Sequence, residues 1–155
     1  MSSSQRAAFL SLVLSQMHAP YRWNGKGERD PSTGQRVFDC SGLVTWALRE
    51  VGGPDWRATH HTGRLWTECA RLKLGDLVRP GDLVLYHRLG EPTKPEHVMV
   101  VVSWALDVVV GASGGGSSTL TLADAARDDA KVKAFGSLDY WPRRMEGVFR
   151  LPFTS

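Results

Sequence analysis

The chain has 155 residues, of which 42% are hydrophobic and 23% are charged, and its formal net charge is +3. This length and composition predict a single globular domain over residues 1–155 with its own hydrophobic core. The 19 Lys and Arg are scattered among 16 Asp and Glu, so the mild positive charge does not indicate a nucleic-acid partner. It would suit an anionic polymer as a substrate.

The first twenty residues superficially resemble an export signal, but their apolar run is too short. FLSLVL is interrupted by Ser, whereas an export signal needs roughly 7–15 apolar residues. Helical spacing instead predicts an amphipathic first helix over about 4–17, with an apolar stripe of Ala7, Leu10, Leu14 and Met17. No segment has the length of a membrane span. The sequence by itself therefore predicts neither an export signal nor a membrane partner.

The remaining elements change character halfway along the chain. Gly, Pro and Asp predict a loop over 21–40, followed by a helix over 41–50 that Gly52 and Gly53 end, and then a short helix within 55–73. The second half predicts strands at 83–88, 119–124, 131–137 and 145–153, and a hairpin over 96–113 that turns near 104–106. A short helical piece is predicted at 124–130. Helices followed by an antiparallel sheet indicate a two-layer α+β domain, with the N-terminal helices packed on the sheet.

Cys40 is the unusual cysteine of this sequence. Cys40 and Cys69 lack the spacing of a metal site, so neither a metal nor a cofactor is predicted, and Cys69 is interpreted as a small core residue. Cys40 begins a helix in FDCSGLVTWAL, where free backbone amides favour a thiolate and could hold an oxyanion. Either a structural thiol or a nucleophile fits this position.

A cysteine nucleophile needs a base, and His97 is the best candidate among the five histidines. It opens the most hydrophobic predicted strand, HVMVVVS, directly after a polar loop. A residue at the mouth of a buried strand is well held and still reaches a cleft. The alternative is that His97 only caps the edge of a strand.

The segments PYRWNG, FDCSGLVTWAL, RPGDLVLY and HVMVVV, in this order over residues 20–113, resemble the NlpC-type cysteine peptidases. This is a papain-like family of bacterial cell-wall hydrolases. The resemblance implies a papain-like domain in which Cys40 is the nucleophile and His97 the base. It also implies cleavage of the peptidoglycan stem peptide at the γ-D-glutamyl–diamino acid bond through a thioester. The alternatives are an amidase or acyltransferase that uses the same pair, and a catalytically impaired wall-binding or phage structural module.

The resemblance also gives roles to residues near the cysteine. Tyr21 matches a tyrosine of the active site that could assist the oxyanion, or it could be an aromatic staple between loop and core. Asp39 and Ser41 match residues that bind the free amino end of the stem peptide, and both could also cap the helix. Substrate contacts are predicted for Trp23, His60 and Arg64, with Arg64 pairing with a carboxylate of the stem peptide.

Two departures from the family pattern concern the surroundings of His97. The family's third polar residue, which orients the base, aligns with Gly111, so a backbone carbonyl, water or Ser113 must replace it, or the enzyme works as a dyad. Met99 stands where the family has glycine, and core packing is the favoured interpretation.

The apparent lack of an export segment leads to a prediction about location. A wall hydrolase without a leader would act as a virion-associated protein or after release from the host cytoplasm. Bacteriophage tail proteins are therefore predicted as possible partners, beside the stem peptide as substrate.

Overall fold

The computed structural model describes residues 1–154, with most of its helices in the first half of the chain and most of its strands in the second. The helices are α1 (Ser3–Ser15), α2 (Cys40–Glu50), α3 (Thr62–Glu68) and α4 (Leu122–Asp128). The strands are β1 (Lys26–Arg29), β2 (Arg36–Phe38), β3 (Ala70–Arg71), β4 (Leu83–Arg88), β5 (Glu91–Ser103), β6 (Val108–Ser113), β7 (Lys131–Phe135) and β8 (Arg143–Arg150). β1 and β2 form a small hairpin, and the other strands form an antiparallel sheet in the order β3-β8-β4-β5-β6-β7.

The sheet has two differently covered faces, as the alternation along β5 shows. Val98 and Val100 pack in the main core with α1 and α2. Met99 and Val101 point to the opposite face and join a smaller apolar cluster with Tyr86. The predicted α+β architecture, with N-terminal helices on an antiparallel sheet, is confirmed.

The start of α2 is held from two sides. Asp39 is its N-cap, and Oδ1 accepts the backbone N–H of Gly42 at 2.6 Å. Residues 41–48 are all buried, because α2 lies against α1, the β1–β2 hairpin and the sheet. A Cβ at Gly42 would lie 1.8 Å from the carbonyl oxygen of Gly25, so only glycine allows this crossing. These contacts give Cys40 a fixed place.

The buried face of α1 differs from the predicted stripe. It consists of Arg6, Phe9 and Val13. Of the predicted stripe, Leu10 and Met17 pack against the core, whereas Ala7 and Leu14 are exposed, so the stripe is confirmed only in part. The reason is a buried ion pair, in which Nη1 of Arg6 donates to Oδ1 of Asp82 at 2.9 Å. Apolar spacing alone could not reveal that α1 turns a charged residue inward.

Asp82, in the turn before β4, connects distant parts of the fold. It is fully buried and also accepts hydrogen bonds from Nε and Nη2 of Arg150, at 2.9 and 2.7 Å, and from the Arg79 amide at 2.9 Å. Burial alone would raise the pKa of its carboxyl, but the hydrogen bonds from Arg150, Arg79 and Arg6 lower it. The Pro-Gly-Asp turn therefore has a structural role.

Two segments differ from the predicted secondary structure. Residues 21–40, predicted as a loop, contain β1 and β2, which the Asp30 turn joins through hydrogen bonds to Ser32 and Thr33. The strand predicted at 119–124 does not form, because Thr121 and Asp124 make a capping box that begins α4. The short apolar alternation of TLTL was outweighed by this cap.

Candidate active site

A cleft of about 720 Å³ opens beside the N-terminus of α2, β5 around His97, and the end of β6. It is lined by seven residues that the sequence predicted for the site: Tyr21, Trp23, Asp39, Cys40, Ser41, His97 and Ser113. The fold therefore brings together segments that lie far apart in the chain.

Cys40 is the first residue of α2 and is partly exposed. Burial of the sulfur, followed by the carboxylate of Asp39, raises the pKa of its thiol. Hydrogen bonds from the Thr62 hydroxyl, 3.6 Å from Sγ, and from the amides of Val98 and Ser41 only partly offset this. The amide of Ser41 at the helix N-terminus lowers the thiol pKa, as expected, but burial outweighs it and the net pKa is raised.

His97 pairs with Tyr86 across the sheet and is 5% exposed. Because β5 begins at Glu91, His97 does not cap the strand, and that alternative interpretation is excluded. Burial, followed by the guanidinium of Arg143, lowers the pKa of His97 to about 3, so the imidazole is neutral at pH 7 and can accept a proton. Its Nε2 is buried without a hydrogen-bond partner among residues 1–154.

Gly111 lies on β6, where it pairs with Lys133. A Cβ added there would lie 3.1 Å from Cγ of Met99 and 3.2 Å from the carbonyl oxygen of Val98. Met99 is 1% exposed and packs in the apolar cluster on this face, which confirms its core-packing interpretation. Met99 therefore fills the space beside Gly111, and the two departures from the family pattern adjoin each other.

Tyr140 is the neighbour of His97 that the sequence analysis missed. Its ring stacks on the imidazole, with centroids 4.4 Å apart and planes 17° apart. Its hydroxyl is hydrogen-bonded to the hydroxyl of Ser113, so the predicted contact of Ser113 with the base is indirect. The contact of this tyrosine, in the segment DYWPRR, with His97 could not be predicted from sequence spacing, because the groups around it come from other strands.

Tyr21 is 5% exposed, and its ring lies against the backbone of Gly115, where a Cβ would approach the ring to 2.3 Å. This packing fits the staple interpretation. Burial, followed by the proximity of Cys40, Asp39 and Tyr140, raises the pKa of its hydroxyl. Tyr21 therefore remains protonated and can donate a hydrogen bond, and its help to an oxyanion stays a prediction.

Asp39 and Ser41 flank the cysteine and form the cap of α2. Oγ of Ser41 donates to Oδ1 of Asp39 at 3.4 Å, beside the capping bond to Gly42. Burial raises the pKa of the Asp39 carboxyl despite these bonds. Both side chains cap the helix and line the cleft, and their binding of an amino group stays a prediction.

The rim of the cleft holds an exposed aromatic side chain and two guanidinium groups. Trp23 is 44% exposed there. Arg88 and Arg143 both line the cleft and pair with Glu96, at 2.9 and 3.1 Å. The lining of the cleft therefore includes both cations and an exposed aromatic surface.

His60 and Arg64 do not line the cleft. The imidazole of His60 stacks on Trp56 at 4.1 Å, and its Nε2 lies 3.1 Å from Oε2 of Glu68. Arg64 pairs with the same carboxylate at 2.7 Å. These contacts hold α3 in place, and the predicted substrate contacts of His60 and Arg64 stay predictions without support from the cavity.

Residues 1–154 contain no group of three or more His, Cys, Asp or Glu side chains that could hold a metal ion. In the same part of the chain, no helix has both the length and the apolar character needed to cross a membrane.

Comparisons with known proteins identify the family to which the chain is similar. The model of the NlpC/P60 family matches residues 18–145. Probable endopeptidases of Mycobacterium tuberculosis and Mycobacterium bovis are 31% identical to this chain over 87 residues, which is 56% of this chain and 20% of each relative. The chain thus spans about one fifth of the length of these curated relatives.

Solved structures show the same fold. The peptidoglycan hydrolase RipB of Mycobacterium tuberculosis superposes with a TM-score of 0.62 and 22% identity, covering 95% of this chain and 64% of RipB. The P60 domain of an antigen from Mycobacterium avium subspecies paratuberculosis gives a TM-score of 0.61 and 22% identity, covering 94% and 93%. Neither these structures nor the curated relatives support the predicted association with bacteriophages.

Proposed function

The chain belongs to the NlpC/P60 family, and from this membership we propose that it is a cysteine endopeptidase that hydrolyses peptidoglycan. The proposed bond lies between γ-D-glutamate and the diamino acid of the stem peptide. The observation that carries the proposal is the single cleft lined by Cys40, His97 and Tyr21. The names of the relatives, probable endopeptidases and a peptidoglycan hydrolase, support the same activity.

The proposed reaction begins with attack of Cys40 Sγ on the amide carbonyl carbon. The neutral imidazole of His97, which lines the same cleft, accepts the thiol proton. The Tyr21 hydroxyl and the amides at the start of α2 donate hydrogen bonds to the oxyanion. The imidazolium then protonates the leaving amine as the C–N bond breaks, and His97 activates a water molecule that hydrolyses the thioester.

Charge separation in this reaction coincides with bond formation. The raised pKa of the Cys40 thiol and the lowered pKa of His97 keep both groups neutral in the free protein. An ion pair between them therefore forms only when the substrate carbonyl and the oxyanion donors stabilise the developing charge.

In the same reaction, the buried carboxylate of Asp39 accepts the free amino end of the stem peptide.

Digestion of a defined peptide tests the proposal. The substrate is L-Ala–γ-D-Glu–meso-diaminopimelate, and mass spectrometry identifies the products. We expect the native chain to release L-Ala–γ-D-Glu, Cys40→Ala to release none, and Cys69→Ala to match the native chain, because Cys69 lies outside the cleft. Unchanged cleavage by Cys40→Ala would refute the proposal.

Digestion of whole sacculi separates the alternatives. Free muramic acid lactyl groups with intact stems would indicate an amidase that uses the same Cys40–His97 pair. Binding to sacculi without any product would indicate a wall-binding module.

A further inference from the structure

We infer that Tyr140 is the positioning residue of His97: its ring, anchored by Ser113, holds the imidazole by stacking where other cysteine hydrolases use a polar third side chain. This inference deepens the proposed function, because it concerns the base of the same reaction. It assigns a role to a segment, DYWPRR, that the sequence motifs leave unexplained.

The rings of His97 and Tyr140 are stacked closely and almost in parallel. The imidazole and the Tyr140 ring are nearly parallel, with planes 17° apart and centroids 4.4 Å apart. The ring of Tyr86 lies 6.0 Å from the imidazole and adds a second aromatic neighbour. Flat contacts of this kind restrict the rotation of the imidazole about its side-chain bonds and exclude water from its face.

One ring nitrogen of His97 has no polar partner in the part of the chain that the structure describes. Nε2 of His97 is buried and has no hydrogen-bond partner among residues 1–154. Gly111 on β6 aligns with the family's third polar residue but has no side chain. Met99 occupies the space in which a side chain at Gly111 would lie. Stacking is therefore the direct contact that remains to orient the base.

Tyr140 is itself held firmly. Its hydroxyl is hydrogen-bonded to Ser113 on β6, and Phe135 on β7 packs edge-on at 5.6 Å. The Arg143 guanidinium lies over the same ring at 5.2 Å. Contacts from three strands thus fix the ring that covers His97, which is what a positioning role requires.

The surroundings of the imidazole make its ionisation a useful reporter. The ionisable groups nearby are Arg143 and Glu96, the phenols of Tyr86 and Tyr140, and the Cys40 thiol across the cleft. Removing the Tyr140 ring admits water to the imidazole face, so the pKa of His97 must rise toward its ordinary value. A residue that only stabilised the fold would not change this titration.

The test compares Tyr140→Phe, which keeps the ring, with Tyr140→Leu, which removes it. We expect Tyr140→Leu to lower kcat by roughly 100-fold, as a misplaced general base does, with KM within about threefold of native. We expect Tyr140→Phe and Ser113→Ala to lower kcat by no more than about fivefold, because each loses only the anchoring hydrogen bond. Trp141→Leu is the matched control, since Trp141 is 78% exposed and does not line the cleft, and it should behave as the native chain.

A second measurement needs no substrate. Nitrogen-15 NMR of histidine-labelled protein, with His97 assigned through a His97→Gln variant, follows the imidazole as pH falls. In the native chain and in Tyr140→Phe it should stay neutral well below pH 6.5, whereas in Tyr140→Leu it should titrate closer to 6.5.

Several outcomes would overturn the inference. They are a kcat for Tyr140→Leu within about threefold of native, a loss confined to KM, or an unchanged His97 titration in a folded Tyr140→Leu protein. Failure of the native chain to cleave any stem peptide would instead refute the proposed function. The NMR titration would still decide whether Tyr140 positions the imidazole.

Discussion

The ionisation of Cys40 gives the sharpest prediction about the free protein. Its thiol pKa is raised by burial and by Asp39, and the imidazole of His97 is neutral. An ordinary thiol with a pKa of about 8.5 is only about 0.3% thiolate at pH 6. Cys40 should therefore be less than about 0.3% thiolate at pH 6, and its reactivity should rise about tenfold per pH unit up to at least pH 8.5.

Alkylation by iodoacetamide measures this directly. The rate at Cys40 is followed by mass spectrometry between pH 5 and pH 10 in a Cys69→Ala background. The same titration of His97→Gln is the control, and its rate at pH 6 should stay within about threefold of native, because a neutral imidazole supplies no charge that favours the thiolate.

A plateau of fast alkylation between about pH 5 and pH 7 would refute this reasoning, because it is the signature of a preformed thiolate–imidazolium pair. That result would mean that the free cleft is more hydrated, or that Cys40 and His97 interact more closely, than their burial indicates. The proposed function would survive, but charge separation would then precede substrate binding.

Three further predictions concern the supports of the site. Asp82→Ala should destabilise the fold by about 3–5 kcal/mol in urea unfolding, because it removes the carboxylate that binds both the buried Arg6 and the partly buried Arg150. Since the folded pKa of Asp82 is lowered, the stability that its ionised carboxylate contributes should be complete above about pH 3.9 and be lost as pH falls through the folded pKa. Gly111→Ala should cost roughly 1–3 kcal/mol, because its Cβ would approach neighbours to 3.1 and 3.2 Å. Thr62→Val should slow alkylation of Cys40 at pH 8, because it removes a hydrogen bond that lowers the thiol pKa.

Each of these has its own control. Asp55→Ala breaks an exposed ion pair and should leave the unfolding midpoint nearly unchanged, so an equal effect of the two aspartate variants would contradict the role given to Asp82. An unchanged unfolding midpoint for Gly111→Ala would mean that Met99 moves aside for the added Cβ without loss of stability. Thr62→Ser keeps the hydroxyl and should alkylate as the native chain does, and a slow Thr62→Ser would point to packing instead.

The motif residues were predictable because their signals are local. Asp39 caps α2 and places Cys40 at its first turn, and the hydrophobic hairpin that carries His97 forms where its continuous apolar run predicts. The α+β order of helices and strands follows from the same short-range patterns. For these features, neighbouring residues determine the structure, so the sequence is sufficient.

Tertiary structure decided what surrounds those residues. The inward turn of Arg6 depends on Asp82, more than seventy residues away, and apolar spacing therefore could not predict it. The net direction of the Cys40 pKa shift was not predictable, because a helix N-terminus is a local feature, whereas desolvation depends on everything packed around the sulfur. The partner of His97 is Tyr140, which reaches the imidazole only because the sheet brings β5, β6 and the segment before β8 together. Contacts between distant segments carry no spacing signal, so only the folded chain reveals them.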